Sequence, residues 1–581
     1  EKDPTFQRII HSIPAEKILA LSPINVDELM AQAASSSSSS SSPSTSSSSS
    51  SSLSSPTSEE EKRSTIRDLQ RIREQKEMKF SAESREEKKR VVVIGAGIAG
   101  LACARELMAR GYEVLVVEGR NRLGGRVWTT RLQGEESVVD CGAAWIHGTE
   151  GNQMCARFRE EMRAQGKNLD LHSMPITSLS VARMDQSRRK NADKGTSSGF
   201  QMIPMDEILE ALVAFETLIG RIRDGWDALK LTEASSLQDA IEALAEKGYF
   251  QGWSEDRHSA LSYMLSRLES EENTSLETLS AKHFDSGETY EGGDHFVVGG
   301  LRTAVQCLGK GVRIHFGQTV TKVKTDKRLG TVTVSMRMTL RNHIVRSIEC
   351  DYAVVTVPLG VLKASSIEFS PTFPASKAAA VHRMGFGQMD KVILRYEKVF
   401  WPKGTYVFGY NIPPVGAATD VKQQGTSETN PRRNVWLFNL LPTTGDPVLV
   451  ALITGQLQKE LSTKSDHAYV DYVCAVVDTL FCNEKKCEEN MKKPFRTKVV
   501  RWGMDSFSLG AYSFMKAGAS MEDIEQLGAP VHGGRVLFAG EHTSVDRYGY
   551  MDGAYMSGLR EAQRISSDPS TVNSGVVRSR L

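Results

Sequence analysis

Three glycines near the start of the globular sequence have the spacing of a phosphate-binding turn. The apolar run at residues 91–94 predicts a strand, and Gly95, Gly97 and Gly100 follow it where a helix begins. Glycine at these positions allows a tight turn, close approach of the main chain to a pyrophosphate and close helix packing. The helix N-terminus then faces the phosphates. Glu118 ends the next predicted strand, where a carboxylate can accept hydrogen bonds from ribose hydroxyls. The pattern predicts a dinucleotide site.

Further groups suited to an anion follow Glu118. Arg120 comes two residues later, and the glycine pair Gly124 and Gly125 precedes Arg126. A guanidinium can form paired hydrogen bonds with phosphate oxygens. We therefore expect Arg120, Gly125 and Arg126 near the pyrophosphate, which is more than a protein that binds NAD alone requires.

Residues 91–127, VVVIGAGIAGLACARELMARGYEVLVVEGRNRLGGRV, resemble the flavin-binding N-terminus of the flavin amine oxidase superfamily. The resemblance implies FAD as the cofactor. It also implies an α/β fold with two domains: a discontinuous Rossmann-like FAD-binding domain, and a substrate domain with a mixed sheet and helices. A Rossmann protein that binds NAD alone is the alternative.

A second flavin segment lies far along the chain. Residues 534–543, GRVLFAGEHT, are similar to the second flavin motif of the family, in which Gly540 and Glu541 follow a strand. By this resemblance Glu541 points to the ribityl or phosphate part of FAD, and Val320 and Gly540 also contact the cofactor. Relatives with a covalent flavin attach it to a cysteine in this segment. Since no cysteine follows Cys487, we expect FAD to be bound non-covalently.

Several stretches narrow the resemblance to polyamine oxidases and the related lysine-specific histone demethylases. They are residues 357–363, 383–392, 399–401 and 501–513. By resemblance, Lys391 is the lysine that holds a water against flavin N5. The chemistry agrees, because a cation near the flavin orients water and favours the electron-rich reduced ring. A surface lysine on a strand is the alternative.

Aromatic residues supply the expected amine-binding surface. Tyr512 and Tyr550 match the two positions of the aromatic sandwich in the family, and Trp502 resembles the tryptophan that lines the flavin edge. Aromatic rings hold an alkyl amine flat against the flavin and tolerate cationic neighbours. Each of the three residues has an alternative interpretation as an ordinary core aromatic.

The segment at residues 140–148, DCGAAWIHG, distinguishes the two branches. Polyamine oxidases of animal and peroxisomal plant type carry a similar Trp-(Ile/Leu)-His-Gly sequence, whereas the demethylases do not. The resemblance places His147 near the flavin, where an imidazole can recognise or deprotonate the amine. A hydrogen-bonded loop histidine is the alternative.

Two features stay open at this stage. By the resemblance, Asp552 stands where the family usually has a histidine near the pyrimidine end of the flavin, and this difference leaves the flavin redox potential and the choice of substrate open. Acidic residues that bind the far ammonium of a polyamine are expected in the helical substrate domain, with Glu207 and Glu216 as candidates between which spacing cannot choose.

The elements that must carry these residues include both strands and helices. We predict a strand at 91–94, a helix at 99–110, a strand at 113–117, mainly helices at 203–270, strands at 312–325, 330–338, 352–357, 391–396, 434–440, 448–453 and 535–539, and a last helix from about Gly553. The predicted segments are a disordered Ser-rich region (1–58), a charged helix or linker (59–90), FAD-binding parts (91–180, 290–355 and 500–567), substrate-domain parts (181–289 and 356–499) and a disordered tail (568–581).

Composition limits the classes of partner. The 581 residues carry 72 Lys and Arg against 71 Asp and Glu, a net charge of +1 that gives no support to nucleic-acid or membrane binding. The eight cysteines are scattered without the spacing of a metal site, so we expect no metal and reduced structural thiols. The sequence has no apolar run of membrane-spanning length, and a soluble, intracellular protein is expected.

The last three residues, Ser579, Arg580 and Leu581, resemble the peroxisomal Ser-Lys-Leu address. They predict recognition by a peroxisomal import receptor and a peroxisomal location, with the cytoplasm as the alternative.

These observations predict an FAD-dependent polyamine oxidase that uses O2 as the acceptor. Its substrate would be spermine, spermidine or an N1-acetylpolyamine, oxidised at a carbon next to a secondary amine. The products would be an imine, hydrolysed to an aldehyde and a shorter amine, and hydrogen peroxide. One alternative is a demethylase-like enzyme acting on methylated lysine, and another is a non-catalytic FAD-binding scaffold.

Overall fold

The computed structural model describes residues 88–132, 138–173, 179–184, 200–202, 205–339, 341–412, 433–481 and 493–568. The predictions for the Ser-rich region, for nearly all of the charged segment at 59–90 and for the C-terminal address lie outside the described residues.

The described strands are numbered in chain order. They are β1 (Arg90–Ile94), β2 (Glu113–Val117), β3 (Thr129–Arg131), β4 (Val138–Asp140), β5 (Trp145–His147), β6 (Leu171–Ser173), β7 (Leu179–Met184), β8 (Phe200–Met202), β9 (Asp294–Val297), β10 (Ile314–His315), β11 (Gln318–Asp326), β12 (Thr331–Met338), β13 (Arg341–Cys350), β14 (Tyr352–Val355), β15 (Glu368–Ser370), β16 (Gly385–Phe386), β17 (Asp390–Arg395), β18 (Val407–Ile412), β19 (Arg433–Asn439), β20 (Val448–Ile453), β21 (Arg496–Arg501), β22 (Ser513–Phe514) and β23 (Val536–Phe538).

The described α-helices are numbered in the same way. They are α1 (Ile98–Ala109), α2 (Gln153–Arg163), α3 (Met205–Asp224), α4 (Leu237–Glu246), α5 (Glu255–Glu271), α6 (Arg302–Leu308), α7 (Leu359–Lys363), α8 (Ala375–Arg383), α9 (Leu441–Thr444), α10 (Gly455–Ser462), α11 (Asp466–Phe481), α12 (Met521–Gly528) and α13 (Met551–Ser566).

A five-stranded parallel sheet has the order β10-β2-β1-β14-β23. Its central strand β1 is a run of Val and Ile that is buried almost throughout, as expected for a parallel strand covered on both faces. The helices α1 and α13 pack closely together, because a Cβ atom at Gly558 would lie 2.2 Å from the carbonyl oxygen of Ala99. The first and last parts of the described chain therefore build one layer.

A seven-stranded sheet has the order β21-β17-β20-β19-β18-β7-β8. The β7–β18 pair is parallel and the other pairs are antiparallel, so the sheet is mixed. Strand β17 lies between β20 and β21 and carries Lys391. Helices α3, α4 and α5 share an apolar core with Trp436 and Leu452 of this sheet. A four-stranded sheet has the order β13-β12-β11-β15, and its strands come between β10 and α8 in the sequence.

The predicted α/β fold with a parallel sheet and a mixed sheet is confirmed. The strand predicted at 312–325 is two strands, β10 and β11, and the other strands expected between 330 and 453 are present with ends shifted by a few residues. The strands that were not predicted are β3 to β9, β13, β15, β16, β18, β21 and β22. The boundaries between the two predicted domains stay predictions. Within the described ranges, no helix is both long and apolar enough to cross a bilayer. The cysteines there have free thiols: Cys103, Cys141, Cys155, Cys307, Cys350 and Cys474.

Candidate active site

A cavity of about 790 Å³ lies between the parallel sheet and the mixed sheet. Nearly all the residues expected at the site line it, namely Gly95, Gly97, Glu118, Arg120, Gly125, Arg126, His147, Val320, Lys391, Trp502, Tyr512, Gly540, Glu541 and Tyr550. Gly100 does not line the cavity but lies at the contact between α1 and β1, where a Cβ atom would lie 2.0 Å from the carbonyl oxygen of Gly95. Its glycine lets α1 approach the end of β1.

The turn between β1 and α1 exposes main chain to the cavity. Gly95 has φ +111°, a conformation that favours glycine. Gly97 caps α1 without a side-chain hydrogen bond, and α1 has no acidic residue in its first turn. Because Gly97, Ile98 and Ala99 all line the cavity, the N–H groups of the first turn are placed for an anion.

The second glycine pair meets this turn. Gly97 and Gly124 form a parallel β-bridge, and a Cβ atom at Gly125 would lie 3.5 Å from the Cα atom of Gly97. Gly125 has φ +59°. Two stretches of bare main chain thus form one wall, with room for a diphosphate where side chains would intrude.

Glu118 is buried at the end of β2, and its carboxylate is held by main-chain amides. Ala96 N donates to Oε2 and Arg120 N donates to Oε1, both at 2.8 Å. The guanidinium of Arg120 bonds Asp505 Oδ1 at 2.6 Å and Ser508 Oγ at 3.1 Å. Arg120 therefore lines the cavity with part of its charge already offset by Asp505.

The two segments that resemble flavin motifs are joined by an ion pair. Arg126 Nη1 donates to Glu541 Oε1 and to the carbonyl oxygen of Ala511, each at 2.8 Å. Gly549 N and the Ser513 hydroxyl donate to Glu541 Oε2. Burial alone would raise the pKa of Glu541, but Arg126 and the hydrogen bonds outweigh it and hold that pKa below its usual value. Glu541 is therefore a carboxylate at neutral pH.

Lys391 is a buried residue and not a surface lysine, with only 3% of its surface exposed. Its Nζ atom donates to the carbonyl oxygens of Gly142 at 2.7 Å and Asp140 at 3.3 Å. The ammonium lies 5.4 Å from the centre of the Trp145 ring. Burial lowers the pKa of Lys391, while Asp140 and Cys141 oppose that shift. The hydrogen bonds therefore fix the position of the ammonium, and the pKa of Lys391 depends on Asp140 and Cys141.

Asp140 is a neighbour of Lys391 that the sequence did not identify as a site residue. Its Oδ1 atom accepts hydrogen bonds from the Thr129 hydroxyl and from Leu301 N. Burial raises the pKa of Asp140 to about 6, against the opposing effects of Thr129, Lys391 and Leu301. The available signal was its place as the first residue of the segment at 140–148 that contains His147.

The aromatic residues are anchored by their polar atoms. Trp502 Nε1 donates to the carbonyl oxygen of Cys141 at 3.1 Å. The Tyr512 hydroxyl donates to the carbonyl oxygen of Glu271 at 2.6 Å, and burial, followed by Glu272, raises the pKa of Tyr512 well above its usual value. The rings thus present fixed apolar surfaces to the cavity.

His147 lies at the end of β5, where it pairs with Asp294 of β9. Its Nδ1 atom is 2.9 Å from Asp294 Oδ1. Its ring centre is 5.2 Å from that of Tyr550, with the two planes inclined at 77°. The side chain is 39% exposed, so it can meet solvent and an incoming amine.

Three acidic residues of the cavity wall were not predicted: Glu271, Glu272 and Asp294. Two of them follow one another at the end of α5, and Arg267 pairs with Glu271 at 2.7 Å. The carboxylates and the C-terminal end of the helix make this wall favourable for cations. The earlier candidates Glu207 and Glu216 lie elsewhere on α3. Asp552, expected near the flavin, is bonded to Arg547 behind the wall.

The cavity fits FAD. The glycine turns with the N-terminus of α1 would hold the pyrophosphate, Glu118 the ribose, and Arg126 with Glu541 the central part of the cofactor. A bound flavin supplies the two-electron acceptor for amine oxidation. Lys391, Trp502, Tyr512 and Tyr550 line the remaining wall, where an amine can be oriented.

Comparisons with known proteins agree with this geometry. Residues 98–566 match the family of flavin-containing amine oxidoreductases. Lysine-specific histone demethylase 1 homolog 1 of Arabidopsis thaliana is 32% identical over 84% of this chain, which spans 53% of that relative. Polyamine oxidase 2 of Arabidopsis thaliana is 31% identical over 81% of the chain and is itself covered over 87%. Polyamine oxidase 3 of Oryza sativa subsp. japonica is 29% identical, with 88% of its length covered.

The chain thus spans about half the length of the first demethylase relative, and most of the length of the two polyamine oxidases. The family match begins within the first flavin segment and includes the second flavin segment, the strand with Lys391 and the aromatic residues. The chain belongs to the flavin-containing amine oxidoreductases, and its cofactor is a flavin.

Proposed function

We propose that this protein is an FAD-dependent polyamine oxidase. The observation that carries the proposal is the shared cavity of Lys391, His147, Tyr512 and Tyr550. The substrate would be a polyamine with a secondary amine, such as spermine, spermidine or an N1-acetyl derivative. The carbon next to that nitrogen loses a hydride, and O2 is reduced to hydrogen peroxide. Water then hydrolyses the imine to an aldehyde and a shorter amine.

Each side chain of the cavity has a separate role in the proposed reaction. Asp294 holds Nδ1 of His147, which leaves Nε2 to accept the proton of the entering ammonium. The rings of Tyr512 and Tyr550 orient the alkyl chain of the free amine. Lys391 holds a water molecule through its fixed ammonium.

The acidic wall supports a substrate with more than one charge. Glu271, Glu272 and Asp294 lie on the same cavity as the aromatic residues. When one nitrogen has lost its proton for oxidation, a second ammonium of the same molecule can remain charged beside these carboxylates. A monoamine lacks that second contact.

A second candidate is oxidation of a methylated lysine side chain. The relative named as a histone demethylase homolog is as similar to this chain as the polyamine oxidase is, at 32% against 31% identity. An N-methyl-lysine side chain offers the same carbon–nitrogen bond to the flavin. His147 at the cavity favours the polyamine, by the sequence pattern described above.

The test is anaerobic mixing of the flavin-loaded protein with spermine, while the oxidised flavin band at about 450 nm is recorded. We expect the band to bleach within the mixing experiment and to return when air is admitted. Separate portions receive N1-acetylspermine, a dimethyl-lysine peptide and the unmethylated peptide as control. Bleaching by the methylated peptide alone would replace the polyamine proposal by the second candidate. A spectrum that stays oxidised with every amine would indicate a flavin-binding scaffold.

A further inference from the structure

A buried ion pair lies directly behind the aromatic wall of the cavity. Arg547 and Asp552 form two hydrogen bonds, from Nε to Oδ2 and from Nη2 to Oδ1, and each side chain is 4% exposed. Asp552 belongs to the first turn of α13, and a Cβ atom at Gly553 would lie 1.9 Å from the carbonyl oxygen of Arg547. The bend that brings the two charges together therefore requires glycine at the following position.

The guanidinium of Arg547 touches both segments that supply amine-facing groups. Its Cζ atom lies 4.2 Å from the ring centre of Tyr550 and 4.7 Å from that of Tyr290. Its Nη2 atom donates to the carbonyl oxygen of His147 at 3.3 Å, and Nη1 donates to that of Glu288. One side chain thus fixes the distance between His147 and Tyr550.

The charges around Arg547 come from several elements. Asp552 lies on α13, and Asp546 and Glu288 act on Tyr290 from the adjoining loops, where burial and then Asp552 raise the pKa of Tyr290. His147 with its partner Asp294 lies on the β5–β9 pair. The Asp552 carboxylate accepts two hydrogen bonds from one edge of the guanidinium, one at each oxygen.

A cation stacked on one face of an aromatic ring weakens the attraction of that ring for a second cation. An unpaired Arg547 would therefore repel a protonated amine at Tyr550. A buried pair has little net charge, but each member alone has a large effect because screening by water is weak.

We propose that Arg547 and Asp552 are positioning residues for amine oxidation: Arg547 holds His147 and Tyr550 in register, and Asp552 cancels its charge at the amine site. The proposal rests on the proposed amine-oxidising function of the same cavity. It gives a role to the aspartate that stands where the family usually has histidine.

The test compares Asp552→Asn with Arg547→Met in anaerobic flavin reduction by spermine as a function of pH. The amine must lose a proton before oxidation, so the reduction rate rises with pH. In Asp552→Asn the site becomes more positive, which lowers the pKa of the bound amine. The rise of the reduction rate with pH should therefore move to lower pH by about 0.5 unit. Without the Arg547 charge it should move to higher pH by about the same amount. A purely structural role would not shift the two profiles in opposite directions.

The double variant Arg547→Met/Asp552→Leu tests positioning even if an unpaired charge prevents folding. We expect its pH profile to match the wild type, while its limiting reduction rate falls about tenfold because His147 and Tyr550 lose their link. Glu161→Gln is the matched control, since Glu161 is a buried carboxylate that pairs with Arg105 and Arg157 on α1 and α2. Its profile should stay unchanged.

Shifts of the single variants in the same direction, or none, would overturn the charge-cancelling role. A double variant with the wild-type rate would overturn the positioning role. Failure of the proposed function looks different, because the wild-type flavin then stays oxidised with spermine. In that case the same variants are compared with the dimethyl-lysine peptide, whose amine carries the same charge requirement.

Discussion

Arg126 and Glu541 lie 415 residues apart in the sequence, and their side chains are joined by a hydrogen bond of 2.8 Å. The pair connects the glycine-rich turn after β2 with the turn after β23. Because both turns line the flavin cavity, the cofactor site exists only when the two ends of the fold have come together.

The first prediction concerns this pair. Arg126→Met leaves the buried Glu541 without its cation, and we expect flavin affinity to fall by about 10- to 100-fold, the effect of about 1.4–3 kcal/mol. Flavin fluorescence in a titration of the apoprotein measures the dissociation constant. Arg105→Met, which removes a different partly buried guanidinium on α1, is the control and should keep wild-type affinity. Equal affinity of the two variants would argue against a cofactor role for Arg126.

The second prediction concerns Gly100. In Gly100→Ala the new Cβ atom meets the carbonyl oxygen of Gly95 at 2.0 Å, so α1 must move away from β1. We expect a loss of about 2–4 kcal/mol in the free energy of unfolding and reduced flavin content. Gly220→Ala on α3 is the control, because a Cβ there meets nothing within 4 Å. Gly220→Ala should raise the free energy of unfolding by about 0.5 kcal/mol. Urea unfolding of the two variants and the wild type measures these changes.

The third prediction separates two buried lysines. Lys391→Met removes the ammonium at the cavity, and we expect reoxidation of the reduced flavin by O2 to slow by about 10-fold or more. Lys377→Met is the control, because Lys377 is equally buried but caps the end of α12 through the carbonyl oxygens of Gln526, Leu527 and Ala529. It should lower stability and leave reoxidation unchanged. Stopped-flow mixing of the reduced protein with O2 measures the reoxidation rate of each variant. Equal reoxidation rates for Lys391→Met and wild type would contradict a role for Lys391 in the reaction with O2.

The fourth prediction concerns Asp140 and pH. Its pKa is raised by burial from 3.8 to about 6 in the folded protein, so its contribution to stability is present below pH 3.8 and is lost as pH rises through about 6. Asp140→Asn does not titrate, and its stability relative to wild type should therefore increase between those pH values. Urea unfolding at a series of pH values measures the difference. Thr129→Val removes a hydrogen bond that lowers this pKa, and its transition should move to higher pH. Parallel curves for Asp140→Asn and wild type would contradict the assignment.

The sequence predicted β1, β2, β14 and β23 of the parallel sheet well because they are short runs of mostly buried apolar residues, rich in Val. It missed β13 and β21, which have several charged residues and little apolar alternation. Strand β21 forms because β17 offers it an open edge, and such pairing depends on tertiary contacts that local propensity does not contain.

The cofactor-facing residues were predictable because each glycine or charge lies in a local pattern. Glu271 gave no such signal: with Arg267 it is an ordinary i,i+4 pair of a charged helix. Its place on the cavity follows from the packing of α5 against the mixed sheet. Arg547 was missed for a similar reason, since its contacts with His147, Glu288 and Tyr290 join segments that are distant in the chain.

The strand order β10-β2-β1-β14-β23 also has a consequence for synthesis on the ribosome. Strand β1 is translated well before its neighbour β14, and the next strand β23 is translated later still. Until then one edge of β1 and the apolar face of α1 that α13 will cover have no partner. Contacts of such long sequence separation form slowly and leave apolar surface open to aggregation. Synthesis of β23 and α13 is therefore the step that makes the nucleotide-binding layer competent to fold.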